Sequence, residues 1–98
     1  MSLLSPTFTA QLNTKFRTAL DETDVAELEL VKVENRPAPS GYESFSLRFL
    51  GPPNMPAIQR SYSMDHDHIG NVEIFLVPLS ADQAGVVFEA VFNRFLED

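Results

Sequence analysis

The sequence predicts a mainly β fold: a small antiparallel six-stranded barrel or rolled sandwich with one short N-terminal helix. Three observations carry this. Apolar and polar residues alternate with period two over short stretches, as half-buried strands require. Gly, Pro, Asn and Asp separate those stretches at short intervals, where turns are needed. Eight Phe and two Tyr are many for 98 residues, and each buries a large area in a core. The length fits a single domain over 1–98, with the helix at 5–12 and a barrel-like core at 15–95.

Ser5-Pro6 opens the first element. Ser is a good N-cap and Pro suits the first helical position. Phe8 and Leu12 stand four apart, on one face of one or two helical turns, and are expected to cover an open end of the sheet. Asn13 can end the helix.

Lys15–Leu20 alternates, with Phe16, Thr18 and Leu20 on one side and Arg17 on the other, and Asp21–Asp24 then reads as a turn. In the strand Val25–Glu34 the parity slips: Leu28 and Leu30 are even, Val31 and Val33 odd. A one-residue β-bulge near Leu30-Val31 repairs the pattern. This slip and the flanking charges mark 25–34 as the expected exposed edge of the sheet. Asn35–Gly41 reads as a loop.

Glu43–Leu50 shows the clearest alternation, with Phe45, Leu47 and Phe49 against Ser44, Ser46 and Arg48. Gly51-Pro52-Pro53-Asn54 stops it, because proline cannot donate to a ladder. Ala57–His66 places Ile58, Tyr62, Met64 and His66 on one face. His68-Ile69-Gly70 reads as a three-residue hairpin loop with Gly70 left-handed, since a two-residue loop would force β-branched Ile69 to positive φ. That register sets Asp65 opposite Glu73, two like charges. Val72–Leu79 is almost continuously apolar, so both its faces are expected to be covered, with Pro78 marking its end. Ser80–Gly85 is a turn. Val86–Phe95 follows, with Phe88, Ala90 and Phe92 inward and Glu89 and Asn93 outward.

Composition excludes several kinds of chemistry. There are no cysteines, hence no disulfides, thiolate catalysis or Cys-based metal sites. The net charge is −7, and the seven basic residues are scattered singly. Nucleic acid and anionic membranes need a positive patch, so neither is an expected partner. There is no long apolar run or Sec-type signal, which together with the missing cysteines suggests a soluble, cytoplasmic protein. No phosphate-cradling glycine loop and no nucleophile elbow occurs.

Asp65-His66-Asp67-His68 is the one stretch that looks like a metal site, because His and Asp are ligands and two His at i, i+2 on a strand share a face. Against it, His68 lies at the turn, the two Asp point away from His66, and the chain has no third His. A polar hairpin tip explains the same residues, and no cofactor is expected. Phe45, Phe49, Phe88 and Phe92 could line a cavity, but a barrel this narrow is normally filled by side chains. Phe95 and Leu96 break the alternation near the C-terminus. They read either as an interface anchor or as a pair folded back under the helix.

Four blocks carry a family resemblance: Phe8 with Leu12-Asn13-Thr14-Lys15-Phe16-Arg17; Glu43-Ser44-Phe45-Ser46-Leu47 with Phe49 and Gly51-Pro52; Tyr62-Ser63-Met64-Asp65-His66 with Gly70; and Phe75-Leu76-Val77-Pro78 with Phe88-Glu89-Ala90-Val91-Phe92-Asn93. From Phe8 to Asn93 the chain resembles a family of small bacterial proteins that form a domain of unknown function. The family often has Gly at the position of Asn13 and Tyr at that of Phe88. The resemblance implies an all-β domain of bacterial or phage origin, encoded near tail-fibre-like or collar-like proteins. It implies no catalytic residues, and His66 matches a His of the pattern without a role attached.

The sequence therefore favours a non-enzymatic interaction or assembly module, with a protein partner or self-association; its specific form, as the resemblance implies, is an accessory of a phage-derived or tail-like particle. The alternatives are a small-ligand or metal-binding β-barrel and an uncharacterised hydrolase.

Overall fold

The computed structural model describes residues 5–95. Helix α1 (Ser5–Thr9) precedes strands β1 (Lys15–Ala19), β2 (Val25–Arg36), β3 (Tyr42–Gly51), β4 (Arg60–His66), β5 (Gly70–Asp82) and β6 (Gly85–Phe95). All pairings are antiparallel, and the sheet closes into a barrel in the order β1-β2-β3-β6-β5-β4. Of the two expected architectures, the closed barrel is the one adopted.

Alternation builds the core. Phe16, Leu28, Leu30, Phe45, Leu47, Phe49, Met64, Leu76 and Phe88 are wholly buried. The rings interlock in specific geometries. Phe16 meets Phe49 edge-on at 5.2 Å, and Phe45 stacks on Phe92 at 4.8 Å, arrangements that add to their area burial. The aromatic residues fill the barrel rather than line a cavity.

Helix α1 ends at Thr9, earlier than expected, and a chain of turns continues to Asn13. Phe8 plugs the barrel end against Phe45 and Phe92 at 6.0 and 5.9 Å. Leu12 does not share that burial and is over a third exposed, because the chain has left the helix before reaching it. Asn13 takes φ = 68°. In this left-handed region Gly is favoured and Asn tolerated. Its N–H donates to the Leu30 carbonyl, leading the chain into the sheet.

The bulge in β2 lies where the parity slips. Leu30 pairs with Phe49 and Lys32 with Arg48, so Val31 is the extra residue, and Val33 returns to the core. The strand is not an edge: it lies between β1 and β3. Three further expectations are corrected. β4 begins at Arg60, so Ile58 is exposed and outside the strand; its carbonyl instead accepts from the Tyr62 hydroxyl. β5 runs past Pro78 to Asp82, because a register shift between Pro78 and Ser80 falls where the missing N–H would sit. Its outer face is also less covered than an unbroken apolar run suggests: Ile74 and Leu76 are buried, but Phe75 is half exposed.

At the Gly51 end of the β3–β6 ladder, Gly85 lets the two backbones approach closely. A Cβ on Gly85 would stand 2.2 Å from the Gly51 carbonyl oxygen, and Gly85 has φ = 144°. Among the described residues no helix is long and apolar enough to cross a membrane.

Candidate functional site: the β1–β4 seam and the β4–β5 tip

Closing the barrel requires β1 to meet β4, strands far apart in sequence and joined by no hairpin. Their ladder has two residue pairs, Arg17↔Asp65 and Thr18↔Met64, whereas β3 and β6 pair continuously from Tyr42↔Phe95 to Gly51↔Val86. Side chains extend the short ladder in both directions. The Thr18 hydroxyl donates to the Ser63 carbonyl at 2.8 Å, and Arg17 donates to the Asp67 carboxylate at 2.8 Å. At the end of β4, His66 reaches Thr14 across the seam: Nε2 and Oγ1 are 2.7 Å apart.

The β4–β5 turn holds Asp67, His68 and Ile69, with His66 paired to Gly70 at φ = 85°. The loop is thus one residue earlier than the sequence suggests, and Asp65 faces Asn71, not Glu73. The expected like-charge pair does not form. Asn71 instead donates its amide to both Asp65 and Ser63 on the outer face.

His66 organises this tip. It is nearly buried, and its ring packs on Phe16 at 4.4 Å. Nδ1 receives two backbone N–H groups, from His68 at 3.0 Å and Ile69 at 3.3 Å. A ring nitrogen that accepts uses its one in-plane lone pair and carries no proton, so in the neutral ring the proton sits on Nε2. Nε2–H then donates to Thr14 Oγ1, whose own hydroxyl donates to the Gln11 carbonyl at 2.6 Å. The chain of bonds runs Nε2–H to Thr14 to Gln11, and each group has its partner. Burial, and then the neighbouring His68 and Arg17, hold the His66 pKa below the ordinary histidine value; Asp67 opposes them.

This order of donors decides what the cluster can do. A base that activates a hydroxyl must accept its proton, but His66 already carries hydrogen on the nitrogen facing Thr14, so the pair does not form a nucleophile–base dyad. The metal candidates diverge as well. Asp65 bonds Asn71, Asp67 bonds Arg17, and His68 Nδ1 meets Gln11 Oε1 at 3.1 Å. Among the described residues, no three His, Asp or Glu side chains could hold a metal ion together. Sequence reading found the four residues 65–68 but assigned no site role to Gln11, Thr14 and Arg17, which lie about fifty positions away.

A second region is apolar. On the outer face of β3 and β6, Tyr42 and Phe95 pair and their rings meet edge-on at 5.3 Å. Phe95 is 67% exposed, and Tyr42, Val91 and Phe75 are each about half exposed. Phe95 is therefore not folded under the helix, where Phe92 lies instead; Leu96 falls outside the described residues. The seven basic residues add no positive patch. Lys15, Arg17, Lys32, Arg36 and Arg48 pair with acids, while Arg60 and Arg94 lie over the aromatic rings of Tyr62 and Phe92. A groove of about 660 Å³ along β2 is acidic, but Asp21 in it is committed to its own turn, accepting from Thr23 and Asp24. Those bonds hold the Asp21 carboxyl below its usual range.

A family model described as a domain of unknown function (DUF6916) matches residues 4–92, and the chain belongs to that family. No curated protein and no solved structure matches it significantly.

Proposed function

We propose that the protein is a non-enzymatic interaction or assembly module that uses the outer face of β3, β6 and β5 as its contact surface. The carrying observation is the exposed apolar side chains of this face on an otherwise acidic protein: the Tyr42–Phe95 pair and, beyond the polar Ser44–Asn93 pair, Val91 on β6 with Phe75 on β5. Exposed aromatic side chains of this kind suit protein contacts. The backbone beneath adds to the case. The β5–β6 ladder ends at Val77↔Glu89, so beyond it Ala90–Phe92 take their ladder partners from β3. An incompletely paired strand can accept another chain. The more specific form, an accessory of a phage-derived or tail-like particle, rests on the sequence resemblance.

The test compares wild type with Val91→Glu/Phe95→Glu, both outward positions, after circular dichroism shows equal folding. Light scattering behind size exclusion, over a wide concentration range, should show association of wild type that the double variant loses. Failing self-association, a wild-type bait should retain a protein that the variant bait does not. A wild-type monomer whose retained proteins match those of the variant would contradict the proposal.

A further inference from the structure

We propose that the β1–β4 seam is an acid-opened latch: protonating His66 at Nδ1 releases the 67–69 loop and parts the short ladder between β1 and β4, while the rest of the barrel stays folded. The geometry makes the ring intolerant of a second proton. Nδ1 has two N–H groups aimed at it, and an N–H there would face two donors with no acceptor. Relief requires the loop amides of His68 and Ile69 to turn away or the ring to leave its place against Phe16. Turning the loop strains the Asp67–Arg17 bond to β1, and moving the ring breaks the bond to Thr14, the residue that leads into β1.

The surroundings do not rescue the charged ring. The charged and titratable groups acting on it are His68 and Asp67 on the loop and Arg17 on β1. His68 and Arg17 oppose a positive charge. Asp67 favours it, but Asp67 is already bonded to Arg17 and is mostly exposed. From the turns after α1, the groups present are the neutral Gln11 and Thr14; β1 adds the Phe16 ring; β5 adds Gly70 opposite. Two ladder pairs make the seam the easiest place in the barrel to open. Opening exposes the edges of β1 and β4 together with Phe16, a surface absent at neutral pH.

The experiment is nuclear magnetic resonance on the whole chain between pH 7.5 and 4.5. Ring nitrogen shifts should report Nε2–H at neutral pH and a titration midpoint below the ordinary histidine value. Across that midpoint, amide exchange corrected for intrinsic rates should accelerate at Arg17, Thr18 and residues 64–70, with β3 and β6 unchanged. In His66→Asn, whose side-chain oxygen can accept the same two loop amides but does not titrate, the local step should vanish; in His68→Gln it should persist. An Nδ1–H tautomer, a midpoint at or above the ordinary value, or seam protection that stays constant through the titration would overturn the proposal. The wild-type measurements decide the matter even if His66→Asn does not fold.

Discussion

The β3–β6 wall and the β1–β4 seam are parts of one barrel held in different ways. The wall has a continuous ladder from Tyr42↔Phe95 to Gly51↔Val86, backed by the stacked rings of Phe45 and Phe92. The seam has two ladder pairs and borrows the rest from side chains: Thr18 to Ser63, Arg17 to Asp67, and His66 to Thr14. Burial of apolar area is non-directional and insensitive to pH. Hydrogen bonds through an imidazole are directional and depend on one proton. The wall should therefore set global stability, and the seam should set where the barrel first opens.

The largest effect that would break this contrast lies in the wall. Phe49→Ala removes a wholly buried ring that packs on Phe16 and should cost about 3–5 kcal/mol in denaturant unfolding. A cost no greater than that of a seam substitution would mean the wall is not the stabilising half. Next comes Thr14→Val, which leaves the buried Nε2–H of His66 without its acceptor. The expected loss is about 1–3 kcal/mol, with amides 67–70 losing protection before those of β3. The smallest effect is expected for Arg17→Ala, which breaks a largely exposed ion pair with Asp67. Its cost should be at most about 1 kcal/mol and should shrink in high salt.

The pH dependence of stability follows from the sign of the His66 shift. Its folded pKa is lowered, so between that value and the ordinary one near 6.5 the unfolded chain binds more protons than the native state. Stability is full above pH of about 6.5 and falls as the pH drops toward the folded pKa. A raised folded pKa would give the opposite slope and would appear directly in chemical denaturation at two pH values. The same titration drives the local opening proposed for the seam.

The wall was legible in the sequence because its rule is local. Phe45, Leu47 and Phe49 alternate, as do Phe88, Ala90 and Phe92, and each set marks its own inward face. Even the β2 bulge announced itself through the parity slip at Leu30-Val31. The seam was not legible, because nothing in residues 15–19 names residues 60–66 as partners. Closure is a property of the whole strand order; the parity slip and flanking charges that read as an edge at 25–34 belong instead to a bulged strand paired on both sides. The hairpin tip was misplaced for a related reason. Gly70 at positive φ fits a loop at 67–69 or at 68–70 equally well, and the choice is made by His66 capping the amides of His68 and Ile69. Proline was also overread: Pro78 sits at a register shift, where its missing donor is harmless, so β5 continues. Of the site, the sequence supplied Asp65–His68 as a group. It did not show that the four side chains point to four different partners.

Native-state hydrogen exchange at neutral pH tests the contrast most directly. Amides in the β3–β6 ladder should exchange through global unfolding, with protection that tracks denaturant stability. Those of Arg17, Thr18, Met64 and the 66–70 tip should exchange through a smaller opening, nearly independent of denaturant. Uniform protection across β1, β3, β4 and β6, all following the global transition, would contradict the account.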